Sequence, residues 1–269
     1  MRLPQSPGGR RAPPWVGTIV LAAAPGLALA ADPHPWISAP SRVPPPETHF
    51  TNLEDGARIE TPYLLKFGLS RFGLAPIVKP VPGTGHHHLL VNRELPMEFT
   101  KPLPFNDQYI HFGKGQMETV LNVPPGAYTL RLLLADDKHI PHFIYSRPLH
   151  LTVTARREGI DPKGLVRPGV EILAPAAGAV PALPFRVVFH ASGLNVGHVD
   201  VTEPGVGHFR LVAERAGGGT ERIDFPQGAT ETWLAPPAGD YRLRVELVRN
   251  AAPNDTMAVS APLALKVLR

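Results

Sequence analysis

Six of the twelve histidines in this 269-residue chain, His86, His87, His88, His111, His139 and His142, fall between positions 86 and 142. Imidazole is both a proton acceptor near neutral pH and a ligand suited to zinc, copper, nickel and iron. On an extended strand His86-x-His88 places two rings on one side, roughly 6.5 to 7 Å apart at the backbone, within reach of one ion. His111 adds a third nitrogen if its strand runs alongside. His139 and His142, in DDKHIPH, sit where a loop is expected and are candidate further ligands. The chain has no cysteine, which removes thiolate sites, and no ring of clustered carboxylates, which disfavours calcium and magnesium; copper or zinc is the expected ion. Clustered imidazoles titrate near pH 6.5, and two like charges about 4 Å apart at an effective dielectric of 20 repel by roughly 4 kcal/mol. A cation removes that repulsion by keeping the rings neutral, so metal affinity is expected to collapse below about pH 6.

An internal repeat separates scaffold from site. Residues 49–91 align without gaps on 171–213, Gly85-His86 matching Gly207-His208; a nine-residue deletion follows, and GQMETVLNVPPGAYTLRLLL (115–134) then matches GATETWLAPPAGDYRLRVEL (228–247). The second copy keeps only His208 of the histidine set, with Arg210 opposite His88 and Asp224 opposite His111, so the scaffold does not need those imidazoles. Apolar and polar residues alternate with period two, as in Tyr241, Leu243, Val245 and Leu247 against Arg242, Arg244 and Glu246. Short strands between turns such as Pro124-Pro125-Gly126 predict an all-β chain of two tandem immunoglobulin-like antiparallel β-sandwiches, with a closed barrel as the alternative. The expected organisation is a Pro-rich arm at 31–48 standing apart from the cores, a histidine-bearing sandwich at 49–154, a linker at 155–168 and a second sandwich at 169–269. Strand phase turns His87 and Leu89 inward and His86, His88, Leu90 and His111 to the opposite face. His34, His49, His150, His190 and His198 read as isolated surface side chains, Glu118 with its counterpart Glu231 as scaffold, and Asp136 and Asp137 as a solvated turn. Lys114, between Gly113 and Gly115, reads as a turn residue that could instead contact a ligand.

Pro is about 12% of the chain, against roughly 5% in ordinary proteins, which excludes helical bundles and coiled coils. Residues 1–30 read as a secretory signal: Arg10-Arg11, an apolar run from Trp15 to Leu29, and Ala28-Leu29-Ala30 for cleavage. Export to the periplasm or exterior is expected, with no membrane span after cleavage. Without that segment the chain has 24 basic and 23 acidic residues, no electrostatic footprint for nucleic acid. There is no G-x-S-x-G elbow, Cys nucleophile, phosphate loop or H-E-x-x-H helix, so an enzyme would have to be metal-based.

The blocks GHHHLLVN (85–92), IHFGKGQMET (110–119), PPGAYTLRLLLAD (124–136) and HIPH (139–142) resemble, in order and spacing, the bacterial family called domain of unknown function 4399. The resemblance covers residues 49–154, with the second copy as a degenerate relative, and implies an exported bacterial protein without supplying an activity. The residues point to metal binding through His86, His88, His111, His139 and His142, the second copy serving as a structural module or a surface for an envelope protein partner. A metal-free adhesion or ligand-binding protein and a copper-dependent redox enzyme are the alternatives.

Overall fold

The computed structural model describes residues 33–96 and 98–268; the signal segment expected at 1–30 lies outside them. In the first copy the strands are β1 (Glu47–Phe50), β2 (Ala57–Thr61), β3 (Tyr63–Ser70), β4 (Gly73–Leu74), β5 (Thr84–Val91), β6 (Tyr109–Phe112), β7 (Glu118–Leu121), β8 (Gly126–Ala135), β9 (Pro141–Tyr145) and β10 (Leu149–Arg156). One sheet has the order β1-β3-β7; the facing sheet runs β2-β10-β8-β5-β4, with β6 added beside β5 and β9 beside β8. The second copy has β11 (Gly169–Ala174), β12 (Phe185–Ser192), β13 (Asn195–Val196), β14 (Val206–Arg215), β15 (Thr220–Asp224), β16 (Glu231–Leu234), β17 (Gly239–Arg249), β18 (Thr256–Val259) and β19 (Leu263–Val267). It repeats the plan as β11-β12-β16 facing β13-β14-β17, to which β15, β18 and β19 add. The chain is therefore all-β, two tandem immunoglobulin-like sandwiches. The sheets are mixed rather than purely antiparallel, because β2 with β10, β4 with β5, and β13 with β14 pair in parallel.

The alternation read in the sequence becomes burial. Leu65, Phe67, Leu89, Phe112, Leu130 and Leu132 close the space between the sheets of the first copy. Burying each such side chain stabilises the fold by roughly 1.5–3 kcal/mol. A larger apolar cluster joins Phe189, Phe209, Leu243 and Val245 of the second copy to Leu69, Leu74, Met117 and Leu134 of the first. The two copies thus share a core. Their backbones also bond to each other: Leu74 N donates to Gly228 O (2.9 Å), His198 N to Leu74 O (2.9 Å) and Val196 N to Gly115 O (2.9 Å). At Gly73, Gly115 and Gly228 a Cβ would collide with a carbonyl oxygen of the other copy. Gly115 also has φ 86°, left-handed space that glycine occupies freely. Gly115→Ala is accordingly expected to destabilise the chain by more than about 2 kcal/mol, measured by urea unfolding; an unchanged midpoint would show that this junction yields without cost.

Two readings of the sequence change here. The start of the Pro-rich arm does not stand apart: Ser38 N donates to Trp233 O and Ala235 N to Trp36 O, and Trp36 packs edge-on to Tyr241 at 5.8 Å. His190 is not a surface residue. It is fully buried, its Nε2 lying 3.0 Å from Glu118 Oε2, while Ser192 Oγ (2.7 Å) and Gly193 N (2.9 Å) donate to Glu118 Oε1. Burial opposes the Glu118 charge, but these donors from the second copy outweigh it and lower the carboxyl pKa. Glu118 is a clamp between copies.

Candidate metal centre

The central strand β5 brings the histidines together through its two faces. His87 turns inward, where its Nδ1 meets Thr48 Oγ1 at 3.1 Å and its ring packs against Phe67 at 5.5 Å. It is a hydrogen-bonded core histidine. On the other face His88 lies directly across from His111 in the β5–β6 ladder, and His86 across from Ala135 of β8. Just beyond β8 the chain doubles back through His139, whose φ is 63°. Asp136 fixes that turn, its Oδ1 accepting from Lys138 N (2.9 Å) and Ile140 N (2.8 Å) while its carbonyl accepts from His139 N (2.9 Å). The result is a four-ring cluster in which one nitrogen each from His86, His88, His111 and His139 lie within 4.8 Å of one another. His86 Nε2 is 2.8 Å from His88 Nε2, and His139 Nε2 is 3.2 Å from His111 Nε2. Two nitrogens held at about 2.0–2.1 Å from one ion are separated by about 3–4 Å, so small ring movements would accommodate a cation. His142 stands outside the group: its Nε2 lies 3.2 Å from Thr84 O and its ring packs edge-on to Phe72.

The sequence places His86 and His88 on an outer face; the structure buries both to 1% exposure. The connection between β5 and β6 is long, 92–108, where the corresponding connection in the second copy spans only 216–219. Leu95, Phe99 and Leu103 from this segment pack with Leu90, Leu133 and Ala135 into a small apolar cluster over the sheet. Phe105, 66% exposed, stands over the ring edges of His111 and His139 at 5.5 and 4.7 Å. None of these covering residues follows from reading histidines alone. Their signal was the nine-residue excess itself, carrying Leu and Phe side chains and confined to the copy that carries the rings.

Burial sets the electrostatics. Desolvation, then the neighbouring His88, His111 and His139, push His86 down to about pKa 2; desolvation and the other rings push His88 to about 3. His111 is lowered by burial and by His139. His86 and His88 are therefore neutral at physiological pH, and the charge repulsion expected between two solvated imidazoles does not arise at this pair. What arises instead is a set of converging lone pairs: of two Nε2 atoms in contact, only one can carry the proton. The Nδ1 atoms of His86 and His88 are buried without a hydrogen-bond partner, so the network is incompletely satisfied.

The second copy fills the same place differently. Arg210 faces Asp224 across β14 and β15 just as His88 faces His111 across β5 and β6. Arg210 Nε donates to Asp224 Oδ1 at 2.8 Å; His208 Nε2 lies 3.3 Å from the same oxygen, and its Nδ1 2.8 Å from Asn250 Oδ1. Burial works against the Asp224 charge, yet hydrogen bonds from His208 and Arg210 prevail and lower its pKa. Cation and anion there neutralise each other within the chain.

Fold and site together define a two-sandwich, all-β protein with a buried four-histidine cluster in its first sandwich. The chain belongs to the family described as Domain of unknown function (DUF4399), whose model matches residues 65–154 and 187–268, one segment in each copy. No curated protein matches it in sequence. Among solved structures, fibronectin(III)-like modules of Clostridium thermocellum CbhA align at 12% identity with a TM-score of 0.26, covering 82% of this chain and 93% of that one. The FN1-FN3 domains of chicken CNTN1 align at 12% identity and a TM-score of 0.26, covering 88% of this chain and 69% of that one. No helix among the described residues is long and apolar enough to cross a membrane.

Proposed function

We propose that this is an exported bacterial envelope protein, periplasmic or extracellular, whose first sandwich binds a divalent transition metal, copper or zinc, through His86, His88, His111 and His139. The observation that carries the reading is the convergence of four imidazole nitrogens within 4.8 Å at a place where the second copy has an internally neutralised ion pair. All-imidazole donors suit zinc and copper, and the absence of a carboxylate among them disfavours magnesium and calcium. His86 and His88, buried and held neutral, need give up no proton to accept an ion, which favours binding. The second sandwich supports the first through the shared core and offers the surface for an envelope partner.

Titration of tag-free protein with zinc or copper, followed by elemental analysis, tests this reading. One equivalent is expected to bind. His139→Ala should weaken binding by at least about tenfold to a hundredfold, the cost typical of disturbing a metal's supporting residues, whereas His142→Ala should leave affinity unchanged. Equal losses in the two variants would show that the four-ring grouping is not the site.

A further inference from the structure

A divalent ion on four neutral imidazoles leaves two positive charges in a largely dry pocket, and such charge is costly unless a counter-charge reaches it. Among the described residues no carboxylate joins the four nitrogens. Asp136 is committed to backbone amides of its own turn. Two cavities reach the cluster: a small one of about 220 Å³ beside His86, lined by Lys79, Asp137 and His142, and one of about 540 Å³, roomier for an organic counter-ion, walled by His111, Lys114 and Gln116 of the first copy and by Asn195 and Glu203 of the second. The larger volume lies within the range of small-molecule sites.

The position of Lys114 is fixed on both sides. At Gly113 a Cβ would fall on the His111 ring, and at Gly115 on the carbonyl oxygen of Val196. Both neighbours must therefore be glycine for the metal-facing ring and the second copy to close around this turn, and Lys114 N is held by Gln116 Oε1 at 2.8 Å. Lys114 and Glu203 line the same cavity, and neither forms an ion pair among the described residues.

We infer that this cavity holds a small zwitterion of the amino-acid class, bound beside His111 when the metal is present. Its carboxylate supplies the counter-charge, one oxygen toward the ion and the other toward the Lys114 ammonium, and its ammonium faces Glu203. The inference rests on the metal reading above and adds to it a ligand and a role for the interface: the site is complete only where the two copies meet.

Equilibrium dialysis of zinc-loaded, tag-free protein against radiolabelled L-alanine tests it, with zinc content measured before and after. The expected result is one equivalent of alanine bound to the zinc form and binding at least about tenfold weaker to the apoprotein, the equivalent of one charged contact. Lys114→Ala should weaken alanine binding by a similar factor with zinc content unchanged. Propionate, which lacks the amine, should bind more weakly than alanine, a preference that Glu203→Gln should abolish. Zinc retained with no alanine bound, or alanine bound equally by Lys114→Ala, overturns the ligand proposal alone; failure to take up zinc or copper at all overturns the metal reading and this proposal with it.

Discussion

The double variant His88→Arg, His111→Asp is expected to fold and to lose metal affinity by about a thousandfold or more. The substitutions install in the first sandwich the pair that the second already uses, Arg210 opposite Asp224, at positions that face each other in the same strand register. Two of four imidazole donors are removed, the carboxylate that replaces one of them is taken up by the introduced arginine as Asp224 is by Arg210, and each loss exceeds the roughly tenfold to hundredfold cost of disturbing a metal site's surroundings. The arginine also places a fixed positive charge where the ion would sit, which turns a neutral pocket into a repulsive one. Folding should survive because the same backbone carries this pair in the second copy, where Arg210 and Asp224 are hydrogen-bonded and His208 completes the set. Competition against a chromophoric chelator reads the affinity, and circular dichroism with urea unfolding reads the fold. Retained affinity would place the ion elsewhere. A variant that does not fold would show that the covering segment 92–108 makes the two copies inequivalent at these positions, and His88→Gln with His111→Gln then serves to measure the affinity loss without the buried charges.

The comparison between copies explains how far the sequence could be read. Period-two alternation in Tyr241, Leu243, Val245 and Leu247 translates directly into burial, because a strand offers a side chain only two directions and one of them faced the core. The same logic oriented His87 against Thr48 and left His86, His88 and His111 to share the other face. His139 lies far from β5 in sequence and reaches the others only because β8 returns antiparallel and its end is bent by Asp136, a tertiary arrangement that periodicity does not encode. His142, three residues further, falls on the other side of that bend. The contact between copies was not legible for a similar reason: Gly73, Gly115 and Gly228 look like turn glycines, and only the approach of a foreign carbonyl distinguishes them. The nine-residue gap in the repeat falls in the connection 92–108, but that Leu95, Phe99 and Leu103 from it pack onto the sheet beside the histidines was not visible in the sequence. That cover reverses the electrostatic expectation, since exposed imidazoles would have titrated near neutrality whereas these do not.

Acid is therefore expected to unfold the apoprotein well before it protonates folded His86 and His88. In the unfolded chain each imidazole takes up its proton near pH 6.5. His49, read from the sequence as a surface residue, is instead largely enclosed beside Arg186, and in the folded chain burial, with Arg186 nearby, holds it down to about 4; burial, with His49 nearby, holds His87 to about 3; His86 and His88 stand at about 2 and about 3. A depressed folded pKa means that the unfolded state binds more protons as pH falls below 6.5, so these four rings contribute fully above that pH and lose their contribution progressively, His49 down to about 4 and the others to about 2 or 3. Each ring costs about 1.4 kcal/mol per pH unit over that window. At pH 5 the four together remove about 8 kcal/mol, comparable to the whole stability of an ordinary domain. Urea unfolding of apoprotein should show a steep fall in stability between pH 6.5 and 5, and a flat profile would mean that the rings are not held neutral by burial. If the proposed metal binds only the folded cluster, ion at about a thousand times its dissociation constant should add about 4 kcal/mol and move the acid midpoint down by roughly 0.7 pH unit. In protein that is still folded, His86 and His88 should stay unprotonated between pH 7 and 5.5, read from their ring NMR shifts, in contrast to the protonation below about 6 that solvated imidazoles would show. In the His88→Arg, His111→Asp variant the acid transition should become shallower, with one buried ring fewer among those four, and lose its response to metal altogether.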